Sequence, residues 1–171
     1  MIDHKTILDK HDIIFWDFDE TLVNGVNSEL YQNYIKDNSH KTHYIITFRT
    51  KYQSLPIYDI LNMDKVIGKE NINGLFSAPE SIYMSKMMLP ELFQQLDHKK
   101  ENLKNEISDN LIRYNISWEE FYEAYDIICR WKPTICSKYG KTILVDDLDY
   151  MVEDDCNRLG IEYLNSSKKS I

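Results

Sequence analysis

Residues 13–23 read IIFWDFDETLV, in which four apolar residues run directly into Asp17, then Asp19, then Thr21. A short apolar run that ends in polar residues is the pattern of a buried strand. Alternate residues of a strand share a face, so two carboxylates two apart can point at one spot just beyond the strand's C-terminal end. In open α/β sheets that is where ligands bind. Asp and Thr are also ordinary residues of a polar turn after a strand, and the segment alone leaves that reading open.

Four further runs read as strands: YIITF (44–48), KVI (65–67), TILV (142–145) and IEYL (161–164). Segments of helical period separate most of them, which predicts right-handed βαβ units on a parallel sheet. The expected fold class is α/β, a Rossmann-like parallel sheet flanked by helices. Candidate helices cover 28–36, 56–61 with Pro56 near the first turn, and 149–159 with Gly160 placed for a left-handed cap.

From 78 to 130 this rhythm breaks into two helical patterns with no convincing strand. Pro90 can open the first, with Leu92, Phe93, Leu96, Leu103 and Ile107 as its apolar stripe. The second starts at a capping box, Ser117 to Glu120, and carries Trp118, Phe121, Tyr122, Tyr125 and Ile128 at helical spacing. The stretch reads as a helical insertion or small cap within one domain spanning 1–171. Its aromatic face can pack on the sheet or serve as a lid. The closing SSKKSI reads as a frayed end.

At 171 residues, 43% of them hydrophobic, the chain is long enough to bury roughly 70% of its unfolded surface, which argues against disorder. Cys129, Cys136 and Cys156 are few, odd in number and never spaced as C-x-x-C, so a disulfide scaffold is excluded and buried thiols in a reducing compartment are expected. No run approaches the ~20 apolar residues of a membrane span, and the opening MIDHKTILDKHD lacks a signal's apolar core. A cytoplasmic protein without membrane contact is expected. The net charge of −8 argues against general nucleic-acid binding, which depends on Lys and Arg at phosphates. Nucleic acid would enter only as a phosphorylated end.

A second acidic pair lies in TILVDDLD, where Asp146 and Asp147 directly follow a buried strand. Two strands ending in carboxylates at one sheet edge make an oxygen-rich site suited to Mg²⁺, which takes one or two carboxylates plus waters and phosphate oxygens. Thr47 stands near the end of a third strand, in IITFRT, and offers a hydroxyl and an N–H to a phosphate oxygen. Lys132, in WKP, can neutralise both a nucleophilic carboxylate and a phosphoryl group. Lys138 and Lys141 compete for that role; Lys132 is preferred because Pro133 suits a helix's first turn and would fix Lys132 at its mouth. Arg49 is equally suited to contacting substrate or to a surface salt bridge. His40 and His43 read as residues of a solvated loop.

In this order, Asp-x-Asp-x-Thr after the first strand, Thr after the second, then Lys and Asp-Asp around the last motif strand, the chain resembles the haloacid dehalogenase superfamily. The resemblance covers about 12–68 and 131–164. Within it, DFDETLV followed by ITFRTKYQSLPIYDIL is similar to the small phosphatases of the RNA polymerase C-terminal domain. The resemblance implies a Mg²⁺-dependent phosphomonoester hydrolase working through an aspartyl-phosphate on Asp17. Asp19 would be the general acid and base. Asp17, the backbone carbonyl of Asp19, and Asp146 would hold the metal; Thr47 and Lys132 would bind phosphoryl oxygens, and Asp147 would orient Lys132 or a metal-bound water. The substrate would be a phosphorylated small molecule, nucleotide or protein.

Other readings of the same residues fare worse. A response-regulator receiver places its acidic pair after the first strand, whereas Asp146 and Asp147 come late. Calcium loops fail because Ser28 and Asn157 stand where a bidentate Glu is needed. The remaining alternative keeps the fold and drops the chemistry: a non-catalytic module that binds a phosphorylated partner.

Overall fold

The computed structural model describes residues 3–63, 67–79, 108–109, 111–113 and 115–170. Its frame is an all-parallel sheet of β1 (Ile13–Trp16), β2 (Thr42–Thr50), β3 (Gly74–Ala78), β4 (Thr142–Asp146) and β5 (Glu162–Asn165), in the order β3-β2-β1-β4-β5. The chain steps outward from central β1 to β2 and β3, then returns to lay β4 and β5 on the other side. The reversal falls between β1 and β4, where an open α/β sheet forms its crevice.

Strand alternation sorts the apolar residues into two cores. Ile14, Trp16, Ile45, Ile143 and Val145 pack on one face with Tyr31 and Ile35 of α2 (Ser28–Asp37) and Ile57 and Leu61 of α4 (Ile57–Met63). Phe15, Ile46 and Leu144 pack on the other with Cys136 of α5 (Trp118–Cys136) and Val152 and Cys156 of α6 (Asp149–Leu159). A short α1 (His4–Leu8) precedes β1, and α3 (Lys51–Ser54) follows β2. The fold is thus α/β and Rossmann-like, with helices against both faces. Gly160 caps α6 at φ 70, the left-handed conformation that glycine adopts without steric cost.

The chain divides into two compact units, Met1–Ala78 with Cys129–Ile171, and Pro79–Ile128. In the second, the capping box at the start of α5 is formed: Ser117 N donates to Glu120 Oε2 at 2.9 Å and Glu120 N donates to Ser117 Oγ at 3.2 Å. Trp118 and Tyr122, one turn apart, stack at 5.7 Å. The helix expected from Pro90 lies outside the described residues.

Four sequence expectations are corrected. The third strand of the sheet is GLFSA (Gly74–Ala78), which was not expected; of the expected strand KVI, Lys65 and Val66 lie outside the described residues and Ile67 sits in a bend after α4. Among the described residues GLFSA pairs with β2 alone, at the sheet edge, and is mostly half-buried, so it lacks the continuous apolar run of a central strand. The tail is not frayed. Asn27 Nδ2 donates to the carbonyls of Ser166 and Lys168 at 2.7 and 2.9 Å, and Ser170 N donates to Asn27 Oδ1 at 3.1 Å.

His43 is no loop residue: it lies in β2, fully buried. Trp16 Nε1 can only donate, and it does so to His43 Nδ1 at 3.2 Å; the proton therefore sits on Nε2, which donates to Asn38 O at 3.0 Å. Pro133, finally, stands inside α5 rather than in its first turn. An interior proline forgoes one helical hydrogen bond. Burial of Cys129, Lys132 and Cys136, three and four residues apart, holds this segment helical through to Cys136.

A carboxylate cluster at the sheet reversal as candidate active site

The register of β1 and β4 explains the site. Trp16 pairs with Val145, and Asp17 N donates to Val145 O at 2.8 Å, so the next residues in line are Asp17 and Asp146. Neighbouring strands run about 4.8 Å apart, which brings two carboxylates from distant stretches together at the C-terminal edge. Asp17, Asp146 and Asp147 each offer a carboxylate oxygen within 4.8 Å of one another. Asp17 and Asp146 are buried, and Asp147 is partly so.

Lys132 enters from α5 and is fully buried. Its Nζ donates to Asp17 Oδ1 and to Asp146 Oδ2, both at 2.6 Å. The same ammonium stands 4.2 Å from the centroid of the Phe48 ring, a cation–π contact. Lys138 and Lys141 are exposed, so of the three lysines only Lys132 reaches the carboxylates. Asp146 is held further through its Oδ1, which accepts from Leu148 N at 2.9 Å. Its carbonyl accepts from Ser166 N and from the Tyr163 hydroxyl, both at 2.9 Å.

Electrostatically the cluster sets three carboxyls against one ammonium. Burial raises the Asp17 carboxyl well above the ordinary carboxylate range; Lys132 opposes this, while Asp146 and Asp147 reinforce it. Asp147 is pushed up to about 6, by burial first and by Asp146 second. Burial works to lower Lys132, but Asp146 and Asp17 outweigh it and raise the ammonium above its usual value, so it stays charged. The raised Asp17 and Asp147 carboxyls are what a site short of positive charge gives: a bound proton or a further cation would offset them.

Asp19 and Thr47 are placed differently. The Asp19 carboxylate accepts from Arg49 Nε at 2.7 Å and from Arg49 Nη2 at 2.5 Å, so it faces the arginine rather than joining the three-carboxylate group. Of the two roles open to Arg49, the ion pair is therefore formed. Thr47 is buried, and its Oγ1 accepts from Arg49 N at 3.2 Å. Among the described residues it makes no hydrogen bond to the carboxylates. Thr21 ties the turn after Asp19 to the tail, its hydroxyl 2.8 Å from that of Ser166. That turn closes so tightly that a Cβ on Gly25 would lie 2.0 Å from Glu20 O.

Phe48 was invisible as a site residue, because an aromatic in a strand is an ordinary core choice. Its one signal was its place between Thr47 and Arg49. Ser166 and Tyr163 carried no signal, since both act on the main chain of Asp146. Among the described residues, no helix is long and apolar enough to cross a membrane. No family model, no curated protein and no solved structure matches the chain.

Proposed function

We propose that this protein is a Mg²⁺-dependent phosphomonoesterase of the haloacid dehalogenase kind that works through an aspartyl-phosphate on Asp17. The observation that carries the reading is the convergence of Asp17, Asp146 and Asp147 within 4.8 Å, with Lys132 donating to the first two. The donor set fits a hard cation: all three side chains present oxygen, and their charge exceeds what Lys132 neutralises. Asp17 and Asp146 would hold Mg²⁺ with the backbone carbonyl of Asp19, and Asp147 would orient Lys132 or a bound water. When bound, the ion supplies charge neutralisation to the phosphoryl oxygens.

The remaining chemistry belongs to the chain. An Asp17 carboxylate oxygen attacks phosphorus, the ester P–O bond breaks, and the departing oxygen takes a proton from Asp19. Water then attacks the phosphorus of the aspartyl-phosphate while Asp19 accepts its proton. The bond from phosphorus to Asp17 breaks, and phosphate and the free carboxylate are restored. Lys132 and Thr47 bind phosphoryl oxygens, with Lys132 also offsetting charge on Asp17.

The test is hydrolysis of a generic aryl phosphate with and without Mg²⁺, by the parent and by Asp17→Asn. Turnover that needs both the metal and Asp17 is expected; equal turnover by the two proteins removes Asp17 from its role. The second reading, a non-catalytic module for a phosphorylated partner, keeps the buried Lys132 and Thr47 as phosphate-binding groups and drops the chemistry. Phosphate binding without turnover across a broad ester panel would establish it.

A further inference from the structure

Arg49 makes more contacts than a surface ion pair needs. Its Nε and Nη2 grip both oxygens of Asp19, at 2.7 and 2.5 Å, and its guanidinium carbon lies 5.1 Å from the centroid of the fully buried Phe18 ring. Nη1 also donates to Gln53 O at 3.4 Å. Gln53 is itself fixed in the capping box of α3, its Oε1 accepting from Thr50 N at 2.9 Å. The arginine is thus braced by a core ring on one side and a helix start on the other. The Asp19 side chain is 46% exposed and that of Arg49 30%, and a pair this open adds little to stability. What a two-pronged guanidinium–carboxylate contact does secure is orientation, because it fixes the plane and azimuth of the carboxyl group. The carboxyl so oriented belongs to the residue that must meet the departing oxygen, on the turn next to Asp17.

We propose that Arg49 is a positioning residue that sets the stance of Asp19 and thereby governs protonation of the leaving group. The inference rests on the phosphatase reading above. If it holds, Arg49 matters in kcat/KM, which ends with departure of the leaving group, only as much as the leaving oxygen needs a proton; any effect on the later step, where Asp19 accepts the proton of water, is the same for every ester and falls on kcat.

The experiment measures kcat/KM with Mg²⁺ for the parent, Asp17→Asn, Arg49→Met, Arg49→Lys, Asp19→Asn and the double variant Asp19→Asn/Arg49→Met. The substrates are 2,4-dinitrophenyl phosphate, whose leaving group departs unprotonated, and propyl phosphate, whose leaving group cannot. Methionine keeps an apolar stem over Phe18, and thermal melting establishes that each variant is folded; should Arg49→Met fail to fold, Arg49→Lys carries the test. Expected are a loss of about 30- to 100-fold on propyl phosphate and under about 3-fold on the dinitrophenyl ester, a smaller loss of the same pattern for Arg49→Lys, and a double variant within about 3-fold of Asp19→Asn. Equal losses on both esters, or losses that multiply in the double variant, overturn the inference while an inactive Asp17→Asn leaves the phosphatase reading standing. A parent inert on both esters, or an Asp17→Asn as active as the parent, overturns both.

Discussion

Lys132 Nζ stands 2.6 Å from Asp17 Oδ1, although 115 positions separate the two residues in the chain. Both are buried, and the same ammonium serves Asp146. Removing one partner of a buried pair leaves an uncompensated charge, which costs about 3–5 kcal/mol. In chelator, Lys132→Met is expected to lose stability on that scale, a large share of a typical domain's total. Asp17→Asn is expected to lose less, because Asp146 still faces the lysine. Urea unfolding of the three proteins checks the order, and a Lys132→Met as stable as the parent contradicts the pairing.

Asp146 is one of the residues proposed to hold Mg²⁺, so its removal tests metal binding directly while leaving Asp17 in place. Titrating Mg²⁺ against the parent is expected to raise the melting temperature, since an ion at 100 times its Kd adds about 2.7 kcal/mol. Asp146→Asn is expected to shift little over the same range. Identical shifts in both proteins, followed by differential scanning calorimetry, would remove Asp146 from the ligand set.

Burial holds the His43 imidazole below its ordinary value of 6.5 and does the same to His4. The unfolded chain therefore binds protons first as pH falls, and the stability these residues contribute is present above about pH 6.5 and lost below it. Asp17 and Asp147, raised by burial, act in the opposite sense: their contribution is present at acid pH and fades as pH climbs from about 4 through their folded values. Comparing parent with His43→Gln at pH 7.5 and 5.5 cancels the carboxyl contribution. The variant is expected to be less stable at pH 7.5 but to lose less on acidification; parallel losses would mean that His43 is protonated without penalty.

Asn27 anchors the tail through three hydrogen bonds. Asn27→Ala strands those backbone groups and is expected to cost about 1–3 kcal/mol. Hydrogen exchange at Ser170, whose amide loses its acceptor, is expected to accelerate, with β1 and β4 unaffected. Unchanged protection at that amide would show that the tail is held by other means.

Sequence alone determined the parallel α/β frame. Four of its five strands are runs that read as buried, and α2 and α6 start where helical period begins, because a central strand or an amphipathic helix writes its burial into consecutive residues. The edge strand GLFSA and the tail wrote no such signal: one is half-covered, and the other is held by a side chain over 130 positions away. The acidic pairs were legible as types at strand ends, Asp17 and Asp19 after one strand, Asp146 and Asp147 after another. Only the tertiary structure decided which of them meet. The pairing of Trp16 with Val145 fixes Asp17 beside Asp146, whereas the turn after β1 hands Asp19 to Arg49. It also put Lys132 over Phe48 from inside a helix that the proline was expected to start. Register, crossover and helix docking are properties of pairs of segments, and no single stretch of chain encodes its distance to another.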